Sequence, residues 1–259
     1  MTQQHRMRKH LRVFTAIAAG LCWAGALPAQ VTQTDYNSLT GTQFLSFAGV
    51  TGGAAPGTNY DGLLYVNGVG FGERFDGQSV TPSGDFDVVS GTPLPGLTLL
   101  PGSAGQNLTV FTSPAGPVLS GNGPLGFPTA NAIGEGAVSL LFSSNQSEFG
   151  FRLTGGSGGT ATVGFHRVDG SLIQSFVLGN QPLIAAFGFT RDAGIADIRG
   201  VSIWNADVTG IGLAQFRFNA ASVPEPSTWA MMLGGFAIMG IALRRRRGSA
   251  GPTIRPQLS

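Results

Sequence analysis

The chain has 259 residues and a formal charge of +2, but its basic residues sit at its ends. Four of the fifteen precede Gln30 and five follow Leu243, which leaves six arginines against twelve carboxylates between Gln30 and Ser222, a net charge of −6. So acidic a body, with no lysine and no cysteine, argues against nucleic-acid binding through a basic patch and against a disulfide framework; its stability must come from a hydrophobic core.

Residues 1–29 have the layout of a secretory signal peptide. Arg6, Arg8, Lys9 and Arg12 form a basic leader, and Val13 to Ala26 is an apolar run too short to span a bilayer stably. Cleavage is expected near Ala26 or Ala29. Cys22, the only cysteine, follows Leu21 and has Ala19 three places before it, which is not a lipidation pattern, so it is expected to leave with the signal.

Residues 30–222 read as an exported all-β body. Gln30 to Gly57 is polar and holds one or two short strands, and Thr51 to Asn59 is a loop by composition. From Tyr60 on, short runs of Val, Ile, Leu, Phe and Thr alternate with Gly, Pro, Asn and Ser. Strands are predicted over 63–66, 86–89, 97–100, 108–111, 137–142, 149–153, 160–168, 172–178, 185–189, 201–204 and 213–218. In 160–168, Ala161, Val163 and Phe165 face one way and Thr160, Thr162 and His166 the other. In 213–218, Ala214, Phe216 and Phe218 form one face, and Gln215 and Arg217 the other. Asp169-Gly170 marks a hairpin. Gly155-Gly156 and Gly158-Gly159 read as a turn between adjacent strands, with no following helix to make a phosphate loop. The Pro- and Gly-rich stretch 93–128 suits long loops. The pattern predicts a single antiparallel β-sandwich or jelly roll.

No catalytic constellation stands out, and a non-enzymatic body is expected. His166 is the only histidine of the body, and no G-x-S-x-G surrounds any serine, so a solvated or hydrogen-bonded strand histidine is expected there. Paired carboxylates for glycoside chemistry would come from Asp61, Glu73, Asp76, Asp85, Asp87, Glu135 and Glu148. Asp85 and Asp87 would share a strand face. Ca2+ would draw on Asn59 and Asp61, or on Asp85 and Asp87, although Asp and Asn beside Gly are ordinary turn residues. Otherwise no cofactor and no metal site is expected. Tyr60, Tyr65 and Trp204 are amphipathic aromatics that suit a sugar platform or half-buried strand positions.

The C-terminus is a second address. Pro224 and Pro226 stiffen Val223-Pro224-Glu225-Pro226-Ser227 into an extended elbow. Ser227 is placed to cap a helix over 228–243, whose length of about 24 Å is short for a hydrocarbon core of about 30 Å. Arg244, Arg245, Arg246 and Arg247 then hold the C-terminus on the cytoplasmic side. Residues 248–259 read as a disordered cytoplasmic tail. Elbow, apolar helix and arginine cluster in that order resemble the PEP-CTERM sorting signal of Gram-negative bacteria over residues 223–247. The resemblance implies export across the inner membrane by the export machinery and a transient anchor through the helix. It implies cleavage near Pro224-Glu225-Pro226 by an exosortase, a membrane cysteine transpeptidase-like enzyme. It also implies a destination at the cell surface or in an exopolysaccharide matrix.

The body resembles, more distantly, the lectin-like β-sandwiches found on PEP-CTERM proteins. The resemblance rests on Asn59-Tyr60-Asp61-Gly62-Leu63-Leu64-Tyr65, Phe149-Gly150-Phe151, Val168-Asp169-Gly170, Phe187-Gly188-Phe189 and the run from Ile198 to Ile203. Many such bodies end in an Asp-Asp pair; here Leu213 to Phe218 carries no carboxylate. The resulting expectation is a structural or carbohydrate-contacting surface component. A secreted glycosidase or lyase with the same tag, or a permanently anchored periplasmic protein, are the alternatives.

Overall fold

The computed structural model describes residues 30–219, together with Phe236 and Met239. The expected signal peptide, sorting elbow, arginine cluster and tail lie outside the described residues. Of the expected membrane helix only Phe236 and Met239 are described, and both are helical and exposed. Among the described residues no helix is long and apolar enough to cross a membrane.

The strands are β1 (Val31–Thr34), β2 (Gln43–Leu45), β3 (Thr58–Tyr60), β4 (Leu64–Val66), β5 (Val69–Gly72), β6 (Arg74–Phe75), β7 (Gln78–Ser83), β8 (Phe86–Gly91), β9 (Leu99–Leu100), β10 (Leu108–Ser113), β11 (Gly116–Asn122), β12 (Ile133–Gly136), β13 (Val138–Gln146), β14 (Glu148–Thr154), β15 (Thr160–His166), β16 (Leu172–Leu178), β17 (Ile184–Arg191), β18 (Ile198–Ala206) and β19 (Gly212–Phe218). They form an antiparallel β-sandwich. One sheet runs β1-β17-β14-β19-β11-β10-β3, with β12 on β11 and β2 on β19; the other runs β16-β15-β18-β13-β5-β4.

The core between the sheets follows from strand alternation. On β15, Ala161, Val163 and Phe165 are fully buried, as the period-2 pattern predicts. Phe149 of the first sheet lies at the centre of an aromatic cluster. Its ring centroid is 5.7 Å from Phe142 and 6.2 Å from Phe165 of the second sheet, and 5.9 Å from Phe216 of its own. Edge-on and offset contacts of this kind add to the hydrophobic gain of burial. The Asp169-Gly170 turn joins the antiparallel pair β15 and β16, with Gly170 at φ +84°.

Three expectations are corrected. The stretch 93–128 is not all loop: β10 and β11 pair residue for residue from Leu108↔Gly121 to Ser113↔Gly116. Its glycines and proline hid β11, the second strand of a hairpin whose first strand is predicted over 108–111. The glycine pairs at 155–159 do not turn between paired strands, because β14 and β15 belong to opposite sheets; the turn carries the chain across the sandwich. On β19 the predicted face breaks at Gln215, which has φ +46° beside a register shift. That bulge puts Leu213, rather than Ala214, into the core with Phe216 and Phe218.

A third layer covers part of the second sheet's outer face. It consists of the pair β6–β9 and the hairpin β7–β8. Phe75, Leu97 and Leu99 are buried there against Leu63 and Leu141. The layer can approach because the facing residues are small. Register aligns Gly72, Ser139, Ser202, Gly164 and Ser175 across five strands. A Cβ on Gly200 would stand 2.5 Å from Phe75 Cζ and 3.0 Å from Leu97 Cδ1. Gly200→Ala is therefore expected to cost ~1–3 kcal/mol through overpacking, read as a lower urea midpoint. An unchanged midpoint would show that the layer does not rest on this contact.

Candidate functional site

The hairpin β7–β8 lies between two cavities that share Gln78. Gln78 is fixed from both sides: its Oε1 accepts from Phe75 N at 3.0 Å and lies 3.5 Å from the Ser202 hydroxyl. Ser202 Oγ meets Ser139 Oγ at 3.1 Å, and Ser139 Oγ donates to the Glu73 carbonyl at 3.2 Å. These groups form a buried polar seam between the third layer and the sheet.

The first cavity, of about 320 Å³, is polar, with Glu73, Arg74, Gln78, Asp87, Ser103 and Gln106 among its lining. Glu73 and Asp87 are each about 5% exposed or less. Burial raises the Glu73 pKa, opposed by the Arg74 guanidinium that pairs with it. Burial and then the charge of Glu73 push Asp87 up to about 7, while an N–H from Ala137, 3.4 Å from Oδ2, works weakly the other way. Two residues before Ala137, Glu135 is also pushed to about 7, by burial and then by Asp85, and its Oε2 has no hydrogen-bond partner. Buried carboxylates held part-protonated near neutrality are capable of acid–base work.

The fold therefore gathers Glu73 and Asp87 out of the seven candidate carboxylates and places Glu135 near Asp85. Asp85 and Asp87 do not share a strand face: Asp85 is exposed in the hairpin turn and Asp87 is buried on β8. Asp76 sits in the turn between β6 and β7. Asp61 accepts from Asn59 Nδ2 at 2.8 Å and from Gly105 N at 2.6 Å, which hold its carboxyl below the usual range. Buried Glu148 accepts from the Thr40 N–H and hydroxyl at 3.0 and 3.1 Å. Among the described residues no three His, Cys, Asp or Glu side chains converge as a metal site would require.

The second cavity, of about 160 Å³, has Gln78, Pro93, His166, Leu172, Ser175 and Trp204 in its lining. His166 lies on the outer face of β15, as alternation predicts, but it is not solvated. The third layer covers it to 4% exposure, and Phe75 packs edge-on at 5.7 Å. Burial lowers its pKa to about 4, with the Gly170 backbone opposing weakly, and Nδ1 makes no hydrogen bond of acceptable geometry. Arg167 turns to Asp197, 2.9 Å away. Of the three aromatic candidates, Trp204 borders this cavity, Tyr65 is exposed over Gly70, and Tyr60 donates its hydroxyl to the Thr51 carbonyl at 2.7 Å. Gln78, Ser139 and Ser202 escaped the sequence reading. The available signal was small or polar residues at outward positions of strongly apolar strands.

The buried carboxylates make stability depend on pH. A carboxyl whose folded pKa is raised keeps a proton that the unfolded chain releases, so stability is lost as pH rises from about 4 to about 7. Asp87→Asn is expected to be less destabilised than the parent on going from about pH 5 to about pH 8. Urea titrations at both values measure the difference, and equal losses would contradict it.

No curated protein matches the chain significantly. Among solved structures, the cellobiose complex of CsCBM6-3 from Clostridium stercorarium is matched with a TM-score of 0.27 and 12% identity, over 44% of this chain and 82% of that one. A likeness at that score carries no inference about fold or ligand. The C-terminal match is specific in place and order. Residues 222–247, which contain the Pro224-Glu225-Pro226 sequence and all four clustered arginines, match the PEP-CTERM protein-sorting motif. The chain thus ends in a match to the PEP-CTERM protein-sorting motif, a signal that implies export and sorting to the cell surface.

Proposed function

We propose that the protein is exported, is cut by an exosortase near Pro224-Glu225-Pro226, and serves at the cell surface or in an exopolysaccharide matrix as a non-enzymatic, carbohydrate-contacting component. The observation that carries this reading is the sorting motif at 222–247, set directly behind a body that ends its last strand at Phe218. Cleavage in the elbow would remove no described core residue. The acidic, cysteine-free body suits an extracellular setting in which its hydrophobic core is the source of stability.

Intact-mass measurement of the mature protein tests the processing. A C-terminus upstream of Trp229 is expected, and retention of residues 229–243 would instead favour the permanent anchor. Affinity electrophoresis of the protein in gels containing the host's own exopolysaccharide tests the contact. Retardation is expected, and unaltered mobility would remove the carbohydrate reading.

One observation favours a second reading, a polysaccharide-active enzyme. Glu73 and Asp87 line one polar cavity, and both have raised pKa values. Release of reducing ends from exopolysaccharide, abolished in both Glu73→Gln and Asp87→Asn, would establish that reading. No release by the parent protein is the expected result.

A further inference from the structure

We propose that the cavity between β8 and the outer face of β15, β16 and β18 binds one neutral sugar unit of a polysaccharide, with Trp204 as its apolar wall and His166 as its polar contact. The proposal rests on the carbohydrate-contacting function above and assigns it a place.

Three features point to that ligand class. First, His166 is almost fully covered and borders the cavity, with its Nε2 the nearest atom, at 3.5 Å, to a Cβ built on the lining residue Gly164. With its pKa lowered by burial the ring is neutral at physiological pH, with one donor and one acceptor nitrogen. A hydroxyl also donates and accepts, so the two are complementary. Second, Trp204 and Leu172 supply apolar surface beside the polar Gln78 and Ser175. A pyranose has the matching division, with C–H faces and a hydroxyl rim. Third, none of the cavity's lining residues is aspartate, glutamate, lysine or arginine. That contrasts with the cavity across the hairpin, which holds Glu73, Asp87 and Arg74. A uronate or a phosphorylated sugar would find no counter-charge here.

The floor leaves room. Gly164 pairs with Ser175 on one side and Ser202 on the other. A Cβ built on Gly164 would come no closer than 3.5 Å to His166 Nε2 and 3.7 Å to Leu172 Cδ1. Those are ordinary contacts, unlike the clash at Gly200 in the neighbouring row. A branched side chain at position 164 would therefore occupy the cavity without first displacing its walls.

The test uses the full chain and three variants, Gly164→Val, Trp204→Phe and His166→Gln, each checked for an unchanged cooperative unfolding transition. Neutral gluco-, manno- and galacto-oligosaccharides are titrated with polygalacturonate as the charged control, followed by tryptophan fluorescence and by the imidazole resonances of His166. At least one neutral series is expected to bind, to shift the His166 resonances, and to quench fluorescence in the parent but not in Trp204→Phe. Gly164→Val is expected to weaken binding tenfold or more. Equal affinity in the parent, Gly164→Val and Trp204→Phe would overturn the site while leaving the carbohydrate function standing. Binding of polygalacturonate alone would overturn the neutral-sugar assignment. Failure of the parent to bind any of these probes, or the host's exopolysaccharide, would overturn both.

Discussion

Both cavities depend on how closely the β6–β9 and β7–β8 layer lies on the second sheet. The contact of Phe75 with Gly200 sets that distance, since a single Cβ would fall 2.5 Å from the ring. Packing of this kind is unforgiving, because protein interiors have few voids and cannot absorb an added methyl without moving a neighbour. The same approach brings Gln78 onto Ser202 and lays Phe75 against the imidazole of His166. A larger residue at position 200 would lift the layer from the sheet. The two cavities would then open together.

The layer also separates two electrostatic environments. Across the hairpin from the uncharged cavity, Glu73, Asp87 and Glu135 are buried with Arg74 as the paired cation of Glu73. Burying a carboxylate without full compensation is costly, and the usual response is an upward shift of its pKa, as Asp87 and Glu135 show. His166 responds to burial in the opposite sense and stays neutral. The titrations oppose one another: the carboxyls lose stability as pH rises towards 7, whereas the imidazole loses it as pH falls from about 6.5 to about 4. Two raised carboxyls outweigh one lowered imidazole, so stability from these groups falls as pH rises from about 4 to about 7, less steeply than the carboxyls alone would make it.

The strands that carry the core were legible because they combine alternation with long aliphatic or aromatic side chains. Leu172–Leu178 was found with its observed ends, and Thr160–His166 with its correct inner face. The hairpin of Gly116–Asn122 was not, since its pairing depends on Leu108–Ser113 and its own residues are mostly small or turn-forming. The site was the least legible part. Trp204 and the carboxylates were visible as residue types, but nothing local says that Glu73 and Asp87 share a cavity. The burial of His166 depends on Phe75, 91 positions away in sequence. Alternation assigns a side chain to a sheet face; it does not reveal what covers that face. The glycine at position 200 held that information only once the register had placed it under Phe75.

The body is held firmly at its last described residues, just before the sorting motif begins. The C-terminal end of β19 is paired on both sides, with β14 and with β2, so the last strand is held up to Phe218. Just past its last residue, Asn219 Oδ1 accepts from Ser147 N at 2.7 Å and from the Ser147 hydroxyl and Glu148 N at 3.0 Å each. Asn219 Nδ2 reaches back to Glu148 Oε1 at 3.3 Å, and that carboxylate also holds Thr40. The last described residue of the body is thus clamped to the β13–β14 turn three positions before the motif begins at residue 222. This also accounts for buried Glu148, whose oxygens are committed to the clamp rather than to the cavity that holds Glu73 and Asp87.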